Sequence, residues 1–474
     1  MMPVRLLAAL PATAPRVAVA AILAVALAAA ASGADPAPEV RALGATVTKA
    51  ILGDDADLRD VAIDRARHGL KGEWFTRSLA DETLPAAAPA VQVSLVSVLA
   101  DRGDAVALPA IAKLHASSGD AVVRAACVRA IGTLGGPADV ATLATALTAA
   151  DPESSAARRA LEVIGGADAA AAIRAAAAAA TGPRRAALLD ILVARRDRQA
   201  LADMVAATGD ADQAVQQAGV RGVSRLGGPD QVAGLVAGLL AAKAGGDRAE
   251  VEKALVIVCT QNPGNDKAAA HFLAAFQAAG EADRETLLPA LGRIGGPAAL
   301  AIVDGLVADP ANRRLGLAAL TRWPDASVKD RLLEVFAKSN DDAEKTLVLA
   351  ALIRIAPLPD NKLDDGQKLE LLRKTMELCQ RDEDRVKVIE RANAIRTIET
   401  FRFVVPYLDD PNLAESACRS VVELAHHQKL RDAHKDEFTS ALDKVLGTTK
   451  NEELVDRATR YKAGQTWDRS KKKG

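Results

Sequence analysis

Aromatic side chains are scarce in this chain, with 3 Trp, 2 Tyr and 7 Phe among 474 residues. Half of the residues are nevertheless hydrophobic, so alanine and leucine supply the bulk. Both head the helix-propensity scale, and alanine lets helices approach closely. Strand-like alternation of Val, Ile and Thr is also lacking, which excludes a β architecture and leaves an all-α one. Excess charge of one sign is missing as well: 60 Lys+Arg stand against 61 Asp+Glu, a net of −1. Proteins that coat DNA or RNA carry a basic excess or stripe, and the short Lys471-Lys472-Lys473 run reads as a solvated tail. No nucleophile elbow, P-loop, dinucleotide-binding glycine motif, zinc-protease helix or haem-attachment Cys-x-x-Cys-His occurs. The sequence therefore assigns no catalytic, cofactor-binding or metal-ligating residue, and predicts a protein that is not an enzyme.

Long uncharged apolar runs are confined to the amino terminus. Arg5 and Arg16 precede Val17–Ala31, and Ser32-Gly33-Ala34 offers a small-x-Ala cleavage site before Asp35. This is the layout of a secretory signal peptide over residues 1–34. A membrane span needs about 20 apolar residues, so the expectation is cleavage near Ala34 and a periplasmic or secreted product with no stable membrane span. A retained anchor is the alternative. With no cysteine before Cys127, a lipidated amino-terminal cysteine is excluded.

A glycine turn recurs through the rest of the chain. Gly135-Gly136-Pro137, Gly165-Gly166, Gly227-Gly228-Pro229 and Gly295-Gly296-Pro297 each follow one apolar helical run and precede another. Their first glycines are 30, 62 and 68 residues apart, which is one repeat, then two, then two. Such a period signals a solenoid of helical hairpins, each burying its apolar face against its neighbours. One repeat opens at Asp120, runs through Arg124, Ala126, Ala130, Ile131 and Leu134, and turns at Gly135-Gly136-Pro137. Its second helix carries Val140, Leu143, Ala144 and Leu147, and Asp151-Pro152 restarts the cycle. Asp120 is the expected helix cap, and Arg124 is expected to pair with it or with the Asp of the next hairpin. The turn glycines, Gly136 and Gly228 among them, are expected to need a left-handed backbone.

This pattern resembles the HEAT-like repeats, specifically the short bacterial kind related to phycobilisome lyases, with Asp-x-x-Val-Arg…Ala-Leu-Gly…Gly-x-Pro. The tetratricopeptide pattern needs more Trp and Tyr than are present, and the ankyrin Thr-Pro-Leu-His is absent. Beyond Pro324 the glycine turn disappears, but Asp341–Ile355, Asp384–Ile398 and Asn412–Ala425 read as first helices. Val328–Lys338, Gly366–Leu378, Phe401–Leu408 and Glu437–Leu446 read as their partners. The expected organisation is a signal peptide (1–34), capping helices and first repeats (35–104), Ala/Gly-rich repeats (105–325), and more charged repeats with a basic tail (326–474). The Ala167–Ala180 stretch carries little apolar bulk and should be the weakest layer.

Few residues invite a chemical reading. His426, His427 and His434 lie near Asp432 and Asp436, but adjacent histidines on a helix point about 100° apart. They read as helix-terminal residues that satisfy carbonyls and the dipole rather than as metal ligands. Trp74-Phe75 and Trp467 read as caps over the ends of the array, and Trp323-Pro324 as a bulky substitute turn packed between hairpins. Cys127 and Cys418 fall at matching positions of distant repeats, so the four cysteines, with Cys259 and Cys379, read as small buried hydrophobes. The resemblance implies a non-catalytic, monomeric binding scaffold with a protein or peptide partner and no nucleic acid. The alternative is an enzyme or metal-binding accessory protein acting in the periplasm.

Overall fold

The computed structural model describes residues 36–467, apart from residues 167, 243–244 and 360–361 and the side chain of residue 247. Residues 1–34, expected to be a signal peptide, and Lys471-Lys472-Lys473 lie outside the described residues. Among the described residues every regular element is helical. The chain forms two compact units, one extending to Ala254 and the other from Leu255. The boundary falls within helix Gly246–Thr260.

The first unit contains α1 (Pro38–Ile51), α2 (Ala56–His68), the short α3 (Glu73–Arg77), α4 (Pro89–Arg102), α5 (Leu108–Ser117), α6 (Ala121–Leu134) and α7 (Val140–Ala146). It continues with α8 (Glu153–Val163), α9 (Ala169–Ala179), α10 (Gly182–Ala194), α11 (Leu201–Ala207), α12 (Gln213–Leu226) and α13 (Val232–Ala241), and α14 (Gly246–Thr260) follows. First helices touch first helices, in the order α4, α6, α8, α10, α12. Second helices touch second helices, α7 on α9 and α11 on α13. That is solenoid stacking, and the fold is an all-α solenoid of helix pairs.

The second unit repeats the scheme. It comprises α15 (Asn265–Ala278), α16 (Glu281–Ile294), α17 (Pro297–Ala308), α18 (Arg313–Leu320), α19 (Lys329–Lys338), α20 (Asp342–Ile355) and α21 (Asp365–Leu378). Then come α22 (Asp382–Ala392), α23 (Ile398–Val404), α24 (Ala414–His426), α25 (Gln428–Ala433), α26 (Lys435–Thr448) and α27 (Glu452–Lys462). Here α16 packs on α18, α20 on α22, and α22 on α24. The expected Asp384–Ile398 helix is two elements: α22 stops at Ala392, and Thr397 starts α23 by accepting the Thr400 N–H. A hydroxyl at that position caps a new helix instead of continuing the old one.

The recurring Asp is the cap expected of it. Asp120 accepts the Val122 and Val123 amides at 2.7 and 3.2 Å, and Asp212 and Asp341 cap α12 and α20 in the same way. The recurring Arg does not take the expected Asp partner. Arg124 reaches back six residues to the Ser118 carbonyl, at 3.1 Å, and forward to Glu153 of the next repeat, at 2.7 Å. Arg59, Arg248, Arg313, Arg385 and Arg431 make the same six-residue reach, to Gly53, Ala242, Val307, Cys379 and Ala425. The aspartate is spent on its helix amides. The long guanidinium instead ties its helix to the last carbonyls of the preceding helix, which otherwise lack donor partners.

Turn glycines divide into two kinds. Gly295 and Gly296 have φ of +71° and +94°, and Gly166 has +95°, as a left-handed turn requires. Gly136 and Gly228 do not: their φ values are −141° and −149°, extended backbone open to any residue. In these turns the Asp139 or Gln231 side chain accepts the glycine amide at 2.9 or 2.8 Å, so a side chain performs the capping. The glycine inside the first helix is the more demanding one. A Cβ on Gly132 would stand 2.5 Å from the Ala160 Cβ, and one on Gly292 only 2.2 Å from the Ala319 carbonyl oxygen. Neighbouring first helices thus meet backbone to backbone at these points.

The alanine layer is thin. Helix α9 buries Ala169, Ile173 and Ala177, whereas α10 beside it buries Leu188, Leu189, Ile191, Leu192 and Val193. Trp323 is 2% exposed and donates to Ser327 Oγ at 3.1 Å, while Pro324 lies against the Gly295 turn. Trp323-Pro324 is therefore the packed substitute turn that the sequence suggests. All four cysteines are buried free thiols.

Candidate binding surface

Several charged side chains act between repeats. Glu153, 5% exposed, accepts from Arg124 Nε and pairs with His115 Nε2, both at 2.7 Å, joining α5, α6 and α8. Burial alone would raise its carboxyl pKa, but the two hydrogen bonds outweigh this and hold it below the usual range. Arg313 grips both oxygens of Glu344, at 3.0 and 3.1 Å, in the next repeat. A second set of arginines caps the ends of the first helices. Arg102 donates to the Ala66, Leu70 and Gly72 carbonyls, Arg195 to those of Leu161, Glu162 and Ile164, and Arg354 to those of Thr321 and Trp323. Sequence reading missed this set, although its signal is present: a basic residue at the close of successive first helices.

In the second unit those cations form a row. Arg293, Arg354 and Arg391 occupy the last turns of α16, α20 and α22, and Arg322 follows α18. Backbone bonds hold consecutive ends together: Arg354 Nη2 bonds Trp323 O at 2.7 Å, and Arg391 Nη2 bonds Arg354 O at 3.4 Å. Burial lowers the pKa of Arg354, and the charges beside it, Arg391 and Arg293, push the same way. Arg322, Arg391, Arg396 and His426 are exposed. Cations at helix C-termini stabilise the helix dipole, and their periodic recurrence adds a positive edge at the repeat spacing.

The histidines serve this framework. His426 Nδ1 lies 2.9 Å from the Tyr461 hydroxyl, and its ring is edge-on to that of His427 at 5.7 Å. Burial, and then Arg396 and His426, lower the pKa of His427. His434 stands 3.6 Å from Glu437, which Arg402 already binds at 2.8 and 2.9 Å. Among the described residues no group of three His, Cys, Asp or Glu side chains has the geometry to hold a metal ion. Trp74 packs over Gly44 of α1, with its ring centroid 5.4 Å from that of Phe75. Trp467 donates to Asp456 at 3.0 Å beneath the Arg457 guanidinium.

No family model and no curated protein matches this chain. Among solved structures it is similar to the karyopherin Kap121p bound to the extreme C-terminus of the phosphatase Cdc14p, at 12% identity and a TM-score of 0.47. That likeness covers 89% of this chain and 54% of Kap121p. It is also similar to Kap95p in its complex with RanGDP, at 13% identity and a TM-score of 0.43, over 91% of this chain and 60% of that one. Human deoxyhypusine hydroxylase is similar at 18% identity and a TM-score of 0.24, over 60% of this chain and 96% of that enzyme. The chain thus spans about half the length of the karyopherins it resembles.

Proposed function

We propose that the protein is an exported, non-catalytic binding scaffold, and that the second unit holds an extended acidic segment of a protein partner along its positive edge. The observation that carries this reading is the row Arg293, Arg322, Arg354 and Arg391, which repeats with the helix pairs. A linear array of like charges suits a linear partner of opposite charge, because each repeat adds one contact of the same kind. The near-zero net charge of the whole chain favours a local acidic segment over a nucleic acid, whose binding draws on a broadly basic surface. Export is supported by Val17–Ala31 and Ser32-Gly33-Ala34.

Charge reversal tests the binding. The exposed pair Arg322→Glu and Arg391→Glu should abolish capture of the partner that the unaltered protein retains from a periplasmic extract. Raised salt should weaken that capture in the unaltered protein. Equal capture by the reversal variant would overturn the reading. Amino-terminal sequencing of the exported protein should begin at Ser32 or Asp35, and an intact Met1 in a soluble cytoplasmic fraction would refute export.

A further inference from the structure

A second feature lies at the last helices of the second unit and is independent of the positive edge. Between α25, the start of α26 and the end of α27 is a cleft of about 150 Å³. Arg431, Asp432, Lys435, Phe438, Tyr461 and Lys462 are among the residues that line it. At about 30 Å³ per water, this volume suits a compact polar group.

Arg431 is the unusual member. Its side chain is 4% exposed. Nη1 donates to the buried Ala425 carbonyl at 2.7 Å, Nε lies 3.6 Å from Asp432, and the guanidinium sits 5.3 Å from the Tyr461 ring centroid. These contacts fix the guanidinium, yet among the described residues its buried Nη2 has no hydrogen-bond partner. Leaving a buried donor unsatisfied costs about 1–3 kcal/mol, and more for a charged group. Two of the other arginines that reach back six residues, Arg124 and Arg313, lie in first helices and meet a carboxylate of the next repeat, Glu153 and Glu344; Arg431 instead lies in α25, just after the first helix α24.

The cleft is electrostatically arranged for an anion. Three cations line it, Arg431, Lys435 and Lys462, against the single carboxylate of Asp432, and Lys462 also pairs with Asp443. Lys435, which lines the cleft, opens helix α26 without a side-chain cap, so the positive end of that helix dipole adds to the charge there. The Tyr461 hydroxyl is already engaged, by His426 Nδ1 at 2.9 Å and by Arg457 Nε at 3.4 Å. Its role is to hold the wall of the cleft.

We propose that this cleft is an oxyanion site that takes one carboxylate or phosphate group against Arg431, Lys435 and Lys462. The anion supplies an acceptor for the Arg431 guanidinium, whose Nη2 has none among the described residues.

Isothermal titration of the full chain with sodium succinate and with inorganic phosphate, at constant ionic strength, tests the site. Saturable binding of either anion with a Kd near the millimolar range is the expected result, and which anion binds more tightly identifies the natural class. Lys435 is exposed, and among the described residues its ammonium makes no hydrogen bond or ion pair, so Lys435→Ala should keep the fold while weakening binding at least about fivefold, equivalent to roughly 1 kcal/mol. Arg431→Gln should abolish binding; its circular dichroism spectrum shows whether the helices persist. Lys113→Ala, in the other unit, should bind as the unaltered protein does. The absence of saturable heat from both anions would overturn the proposal, as would unchanged affinity in Lys435→Ala.

Discussion

The backbone contact between first helices predicts that two chemically identical substitutions in the second unit change stability in opposite directions. Gly292 and Gly305 both lie within helices, α16 and α17. Replacing either with alanine gains about 1 kcal/mol of helix propensity. At Gly305 a Cβ meets nothing within 4 Å, so Gly305→Ala should stabilise the unit by most of that amount. At Gly292 the Cβ would stand 2.2 Å from the Ala319 carbonyl oxygen and 2.8 Å from its carbon. Ordinary contact begins more than 1 Å further out, and a backbone wall cannot rotate aside, so α16 and α18 must separate. Overpacking costs about 1–3 kcal/mol, occasionally more, and the hard contact places this site at the upper end. After the propensity gain, Gly292→Ala should destabilise by about 2 kcal/mol. Urea unfolding followed by circular dichroism at 222 nm measures both variants, and hydrogen exchange across α16 and α18 locates the effect. If Gly292→Ala proved as stable as Gly305→Ala, the close approach of these helices would be refuted.

Other outcomes follow from features described above. Glu153→Gln should destabilise the first unit by about 2–4 kcal/mol, because it leaves Arg124 and His115 facing a neutral amide. The carboxyl pKa of Glu153 is lower in the folded state than in the unfolded chain. Its contribution is therefore complete above the unfolded value, about 4.3, and is lost as pH falls through the folded one. Acid titration of stability should show this loss in the unaltered protein and a smaller one in the variant. Burial pushes the Cys127 and Cys259 thiols up to about 12, and those of Cys379 and Cys418 to about 11. A thiol reagent at pH 8 should label native protein slowly and all four sites once it is denatured, and rapid native labelling would contradict the burial. Amides of α9 should exchange faster than those of α10, because α9 buries only Ala169, Ile173 and Ala177. Equal protection would show that the alanine layer is not weak.

The sequence reveals these helices because their signals are local. Asp120, Asp212 and Asp341 mark starts that depend only on an oxygen meeting two nearby amides, and the structure places each as a cap. Backbone torsion at the turns was less legible. Gly136 and Gly295 sit in the same Gly-Gly-Pro frame, yet Asp139 holds the Gly136 amide in an extended turn while Gly295 is left-handed against Pro324. The arginine contacts were hidden for another reason. The Arg124 bonds to Ser118 and Glu153 depend on where the preceding and following helices end in space. The cleft at Arg431 was invisible for the same reason, since it requires α25 and α27 to come together.

The scarcity of aromatic residues has an optical consequence. Of the three tryptophans, Trp74 covers α1, Trp323 is buried in a turn of the second unit, and Trp467 lies beside α27. Their indoles sit in three different surroundings, with only two tyrosines in the whole chain to add background. Three variants, each retaining one tryptophan and carrying phenylalanine at the other two positions, would give separate fluorescence signals for the beginning, a middle turn and the end of the array. The order in which those signals change on heating would show whether this chain unravels from its ends or opens first from within.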